Sequence, residues 1–383
     1  MKAIDFFKRE IDKLDISPTN YKLAVDRYKA VGSCIEDYLK KEFGLDVHIY
    51  PQGSFKIGTV TYPADRDDGY DIDLVCEVQE AKCKIAPRKL KELVGQALKS
   101  DSVYAKMIDK EGRRCWTIIY KEQNGIKFHI DILPSVPENI EIVEDTSIAT
   151  TTRIKEGNII KEYVWDSTDP LAFAQWFDNI NKKSYDSIQL NYRTFLYESN
   201  KNIYASVDDV PKELVKTKLQ KIIQILKRHR DIRFVNSHNK DAKPMSMIIT
   251  TLVATIYERV NIEHEDIMAT IKKIVEELAK YKILIEHEEF VANGLIQKVN
   301  GEWKIQNPVA DENLADRWHE DNNKKAKAFF QWITWLEKDM VNIDERQLNE
   351  NMDLMDYFLR DEALDETIPS IEIDRETKPW RKL

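Results

Sequence analysis

One stretch constrains this chain more than any other: residues 50–78, reading YPQGSFKIGTVTYPADRDDGYDIDLVCEV. Within it, Asp71-Ile72-Asp73-Leu74 alternates acidic and apolar residues. Successive side chains of a strand point to opposite faces, so Asp71 and Asp73 share one face and Ile72 and Leu74 the other. Two ionised carboxylates held side by side in a partly buried site are costly without a cation. An oxygen-only pair suits Mg²⁺, or Mn²⁺ in its place, better than zinc. A third carboxylate, Asp131, lies in the strand-like run KFHIDIL (127–133), with Phe128, Ile130 and Ile132 facing one way and His129, Asp131 and Leu133 the other. Neighbouring strands bearing Asp71, Asp73 and Asp131 would make a three-carboxylate site for two metal ions, the layout of phosphoryl and nucleotidyl transfer.

An isolated Asp-x-Asp is more often a solvated strand edge or a turn, and the context decides. A strand over 46–50 should end just before Gly53-Ser54, where a turn or helix begins. Glycine there permits close backbone approach, and Ser54 with exposed N–H groups can cradle a phosphate. The insertion that follows carries Lys56 and Arg66, candidates for a mobile loop over a triphosphate, while Asp67-Asp68-Gly69 reads better as a solvated turn. His129 reads as a packed or surface strand residue rather than a catalytic one, because the carboxylates already account for the metal site.

This order, Gly53-Ser54, then Asp71-x-Asp73, then Asp131, resembles that of the polymerase-β-like nucleotidyltransferases, and among them the bacterial cGAS/DncV-like group (CD-NTases). LQKIIQILKRHRDIRF (219–234) and KPMSMIITTLVATIY (243–257) are similar to helical-domain signatures of that group, so the resemblance covers roughly residues 20 to 260. It implies an α+β fold: a mixed sheet with flanking helices, a C-terminal helical domain, and a cleft between the lobes. The expected division is 1–165 for the core and 166–383 for the helical lobe. It also implies that Lys227 and Ser246 join Gly53 and Ser54 in binding the donor triphosphate. Arg228 and Arg230 are weaker candidates, and the charged run 227–230 otherwise reads as a solvated face or a helix-end interaction. Met247 stands where several relatives carry a base-stacking aromatic, which leaves base recognition to unplaced residues near Tyr185 to Tyr197.

Composition limits the partners. With 383 residues, 42% hydrophobic and 33% charged, the chain suits two lobes around one cleft. A net charge of −9 argues against binding a long duplex, whose affinity comes from neutralised phosphates, and favours free nucleotides. No apolar run is long enough for a bilayer, the N-terminus lacks a signal-peptide layout, and Cys34, Cys76, Cys83 and Cys115 form no metal pair. A cytoplasmic protein with reduced thiols is expected.

Along the rest of the chain, an apolar stripe through Ile4, Phe6, Phe7, Ile11 and Leu14 precedes a long helix from Pro18 to about Phe43, stopped by Gly44. A helix over 87–99 and strands over 103–108, 115–120 and 126–133 follow, with an Asn124-Gly125 hairpin and Pro134 and Pro137 closing the sheet. Residues 138–164 read as polar and partly extended. Helices are then expected over 171–197, 211–234, 266–280, 310–338 and 345–359.

The expected function is a cyclic oligonucleotide synthase that joins NTPs, ATP among them, into a cyclic di- or trinucleotide with release of pyrophosphate. The resemblance implies anti-phage (CBASS) signalling, with a separate effector protein that binds the product. Rival readings are an RNA terminal nucleotidyltransferase, a toxin-type protein-nucleotidylating enzyme, and a binding module with a decayed site.

Overall fold

The computed structural model describes residues 14–341, except 65–68, 124–125, 143, 157–158, 183–187, 202, 205, 207–210, 212–213, 236, 261–265 and 288–293. The stripe at Ile4, Phe6, Phe7 and Ile11, the Asn124-Gly125 turn, Arg66, Tyr185 and the helix over 345–359 lie outside those residues. Helix α1 spans Pro18–Phe43 and is fixed at both ends. Ser17 Oγ accepts from the Asn20 N–H at 3.2 Å, and Gly44 takes the left-handed conformation (φ 69°) while donating its N–H to Lys40 O.

Strand β1 (Val47–Gln52) leads through the single helical turn α2 (Gly53–Lys56) to β2 (Gly69–Val78), and α3 spans Pro87–Ser100. Strands β3 (Trp116–Gln123), β4 (Ile126–Pro137), β5 (Ile148–Glu156) and β6 (Ile159–Thr168) complete a six-stranded mixed sheet among the described residues. Its order is β1-β2-β4-β5-β6, with β3 paired to β4. β1 lies antiparallel and β4 parallel to β2. Beneath the sheet, Val31, Ile35 and Leu39 of α1 and Leu90, Val94 and Leu98 of α3 close one core with Ile72, Leu74, Ile130 and Ile132.

Helices α4 (Pro170–Lys182), α5 (Ile188–Ser199), α6 (Lys218–Val235), α7 (Ser246–Val260), α8 (Ile267–Ala279) and α9 (Glu320–Leu336) follow, with a π-helical turn at Glu337–Val341. A second core gathers Phe177 of α4, Leu226 of α6, Val253 of α7, Ile274 of α8 and Phe329, Trp332 and Ile333 of α9. Among the described residues, no helix is long and apolar enough to cross a membrane.

Several sequence expectations are corrected. Residues 103–108 are not a strand: Asp101 Oδ1 accepts from the Val103 and Tyr104 N–H groups, which folds the chain into a 3₁₀ turn at Tyr104–Lys106. Pro134 and Pro137 do not close the sheet. Pro134 lies within β4 opposite Cys76, and the polar stretch beyond holds the β5–β6 hairpin. Threonine hid that hairpin, because Thr150, Thr151 and Thr152 are buried strand residues that read as polar. The long helix expected over 171–197 is two helices, α4 and α5.

Helix α6 starts at Lys218 rather than at 211, because Thr217 and Gln220 form a reciprocal capping box. Likewise α9 starts at Glu320 rather than 310. A small hairpin of β7 (Gln297–Val299) and β8 (Glu302–Lys304) turns on Asn300 and Gly301, both at positive φ.

Candidate active site

The carboxylate face is built by register. Asp73 lies directly across from Asp131 in the parallel β2–β4 pairing, and Asp71 lies across from His129, so all four share one sheet face. Their strand neighbours Ile72, Ile130 and Ile132 are fully buried on the other face, which fixes the register. The Asp71 side chain is 75% exposed, and its Oδ1 lies 3.4 Å from His129 Nδ1. Thr117, opposite Asp131 on β3, donates its hydroxyl to Asp131 Oδ1 at 2.5 Å.

Gly53 sits under this face. Its φ is +59°, and a Cβ there would lie 2.4 Å from Asp73 Oδ2. Both facts demand glycine: the conformation disfavours L side chains, and the carboxylate occupies the space. Ser54 follows in the first turn of α2, and its carbonyl accepts the Thr59 N–H at 2.9 Å.

Electrostatics shows the strain in the group. Burial, then the charges of Asp131 and Asp71, push the Asp73 carboxyl up to about 7, against the pull of Lys227. Burial also holds Asp131 above the usual carboxylate range, partly offset by the Thr117 hydrogen bond. Opposite them Lys227 is pushed down to about 7, first by burial and then by Arg230. An acid and a base displaced toward each other across a cleft mark a functional site.

Helix α6 supplies the other wall, and the charged run on it is not a solvated face. Lys227, Arg228, His229 and Arg230 are all at most 5% exposed. Lys227 Nζ donates to Thr59 O (3.1 Å) and Thr59 Oγ1 (3.0 Å). Arg230 donates to Ser246 Oγ and Pro244 O, each at 2.9 Å, and also holds Asp231, which pairs with Lys243 at 3.0 Å. Ser54, Asp71, His129, Lys227, Arg230 and Ser246 line one open cleft with a cavity volume of about 170 Å³. Residues expected from three separate stretches of sequence therefore meet.

Three groups escaped the sequence. Thr59 and Thr117 carried no signal apart from neighbourhood, although the β3–β4 pairing places Thr117 opposite Asp131. Arg230, a weaker candidate by sequence, holds Ser246 directly. Met247 is half-buried against the helical core.

A hard divalent cation fits this donor set in chemistry. The carboxylates are all-oxygen donors, and burial together with their mutual repulsion lifts Asp73 well above its ordinary value. Among the described residues, no three His, Cys, Asp or Glu side chains form a ready-made metal cage.

The mixed sheet, the glycine–serine turn and the three-carboxylate face have the layout of the polymerase-β-like fold. The family described as Cyclic GMP-AMP synthase DncV-like, nucleotidyltransferase domain, matches residues 47–134, the stretch that carries the glycine–serine turn and all three carboxylates. A c-di-GMP synthase of Roseivirga ehrenbergii is 24% identical over 346 residues, spanning 88% of this chain and 79% of that one. The cyclic dinucleotide synthase CdnG of Bradyrhizobium diazoefficiens is 27% identical over 233 residues, 58% of this chain and 51% of that one. In fold, the chain resembles the structure of that CdnG in complex with GTP (TM-score 0.66, 20% identity, 94% and 96% of the two chains). It also resembles the GTP-bound form of Vibrio cholerae DncV (TM-score 0.57, 14% identity, 90% of each chain).

Proposed function

We propose that this chain joins nucleoside triphosphates into a cyclic di- or trinucleotide signal, with GTP the first substrate to test and ATP the second. The observation that carries this reading is the Asp73–Asp131 register with Asp71 on the same face, Asp71 lining a cleft that Lys227 and Ser246 also line. Asp71, Asp73 and Asp131 would hold two Mg²⁺ ions, with Mn²⁺ able to substitute. When bound, those ions lower the pKa of an attacking hydroxyl and neutralise charge on the phosphoryl oxygens. Gly53-Ser54, Lys227 and Ser246 bind the donor triphosphate, the ammonium and hydroxyl meeting the phosphate oxygens.

In the reaction a ribose hydroxyl of one nucleotide attacks the α-phosphorus of the other. A P–O bond forms, the bond to the β-phosphate oxygen breaks, and pyrophosphate leaves while the hydroxyl proton passes to solvent. The linear intermediate then turns in the cleft, and its own free hydroxyl closes the ring in a second attack of the same kind.

The two lobes, 1–165 and 166–383, would meet at this cleft, although β6 itself runs on to Thr168. The name of one sequence relative, a c-di-GMP synthase, supports a dinucleotide containing guanine. The enzyme would act in the cytoplasm in CBASS defence, its product read by a separate effector protein.

The test is incubation with each α-³²P-labelled NTP in the presence of all four, with Mg²⁺ or Mn²⁺, followed by phosphatase and mass spectrometry. A phosphatase-resistant small product, absent from Asp71→Ala/Asp73→Ala, is expected. Label appearing only on added RNA or protein would assign the same core to terminal or protein nucleotidylation instead.

A further inference from the structure

The segment between the Gly53-Ser54 turn and the Asp71–Asp73 strand follows the sheet in sequence, yet its backbone is held by the helical lobe. Four α6 side chains are responsible. Gln220 Nε2 donates to Ile57 O at 2.9 Å, and Gln224 Nε2 donates to Val60 O at 2.6 Å. Lys227 holds Thr59 O, and Arg228 donates to Tyr62 O (3.2 Å) and Pro63 O (2.8 Å). Positions 220, 224, 227 and 228 recur at helical spacing, so they form one ridge along α6. Gln220 and Gln224 are buried, at 5% and 1% exposure. The capping box uses the Gln220 carbonyl oxygen, leaving its amide N–H₂ to meet Ile57.

Other contacts agree. The Ile57 side chain packs in the helical core, although Phe55 and Val60 on either side of it belong to the sheet core. Tyr62 N–H donates to Leu14 O, and Leu14 is also in the helical core. Asp15, next in the chain, accepts from Gln224 at 3.1 Å and pairs with Lys216 at 3.3 Å. The held segment is functional surface, because Thr59, Val60, Thr61, Pro63 and Ala64 line the same cleft as Asp71 and Ser246.

Resting on the proposed nucleotidyl transfer, we infer that Gln220, Gln224 and Arg228 are positioning residues that fasten the 57–63 wall of the nucleotide cleft to the helical lobe. None of the three is among the residues that line the cleft. Their carbonyl partners form a ladder that keeps the wall, and the Thr59 seat of Lys227, in register with α6.

The test combines hydrogen–deuterium exchange with steady-state kinetics on the full chain carrying Gln220→Leu/Gln224→Leu, or Gln224→Met alone. Both substitutions keep side-chain volume and delete the donor. Amides of residues 57–64 should exchange roughly five- to tenfold faster, while those of α8 stay as in the wild type. KM for the nucleotide should rise by about the same factor with kcat changed less than about threefold. Restoring the donor with Gln220 intact and Gln224→His should recover part of both effects.

Unchanged exchange in 57–64 would overturn the inference. So would protection lost equally from α6, α8 and the loop, which would mean only general packing. If the double variant does not fold, Gln224→Met carries the same outcomes. Exchange needs no turnover, so an inert wild type would count against the proposed function and leave this readout decisive.

Discussion

The two walls of the cleft carry charge in opposite ways. On the sheet, Asp71, Asp73 and Asp131 crowd one face, and burial, with the repulsion among them, lifts Asp73 toward neutrality. On α6, Lys227, Arg228, His229 and Arg230 are buried deeper, yet each is bonded to protein groups. His229 shows how completely: Trp332 Nε1 donates to its Nδ1 at 3.1 Å, and its Nε2 meets Asp339 at 3.0 Å. The indole proton makes Nδ1 an acceptor, so the ring stays neutral with its proton on Nε2. Arg233 binds the same Asp339 carboxylate. One wall is thus satisfied within the folded chain, while the other keeps like charges together, which is why a cation is proposed there.

Removing a carboxylate should break the sheet wall most severely. Asp73→Asn keeps shape and hydrogen bonding but loses charge, and turnover should fall by roughly a thousandfold or more. Circular dichroism should be unchanged; product formation near the wild-type rate would remove Asp73 from the mechanism. Gly53→Ala comes next, at about a hundredfold, because its Cβ would displace the Asp73 carboxylate (2.4 Å) and strain φ +59°. Wild-type activity in that variant would mean the turn adapts. On the other wall, Lys227→Met should raise the nucleotide KM by roughly 10–100-fold, the worth of lost charge-assisted hydrogen bonds. A kcat loss at unchanged KM would place the lysine outside triphosphate binding.

The opposite charges also give opposite pH dependences. Asp73 titrates near 7 in the folded chain against about 4 unfolded, so the folded state holds the extra proton between those values. That stabilisation is present below pH 4 and is lost as pH rises to 7. Lys227 titrates near 7 folded against about 10.4 unfolded, so the unfolded state holds the extra proton and stability rises with pH between 7 and 10. Asp73→Asn should flatten the lower limb of a Tm–pH curve and Lys227→Met the upper one. Mg²⁺ should raise Tm by a few degrees at pH 8 and by less at pH 5, where protons compete for the carboxylates. Equal Mg²⁺ shifts at both pH values would mean the ion binds elsewhere.

The same contrast explains what the sequence could tell. Strand alternation is local, so the common face of Asp71 and Asp73, and of His129 and Asp131, follows from four or five residues each. Ser17 and Gly44 marked the ends of α1 for the same reason. The burial of Lys227 to Arg230 is a tertiary fact. Its partners Thr59, Tyr62, Pro63 and Asp339 lie more than 100 residues away, and no periodicity encodes them. The triple threonine of β5 hid a strand behind polar letters. Asn300-Gly301, by contrast, carried a hairpin signal that an expectation of helices passed over.

The smallest effect probes how finely the sheet wall is set. Thr117 Oγ1 donates to Oδ1 of Asp131, the carboxylate across from Asp73, at 2.5 Å. The bond lowers the cost of keeping Asp131 ionised. Thr117→Val removes the donor at nearly constant volume and suits the strand. The Mg²⁺ concentration for half-maximal turnover should rise about threefold, with kcat at saturating Mg²⁺ near that of the wild type. Thr117→Ser should restore the wild-type curve, because the hydroxyl returns. Superimposable Mg²⁺ curves for wild type and Thr117→Val would mean that Asp131 is held by its strand alone, and the sheet wall would then owe its geometry entirely to the β2–β4 register.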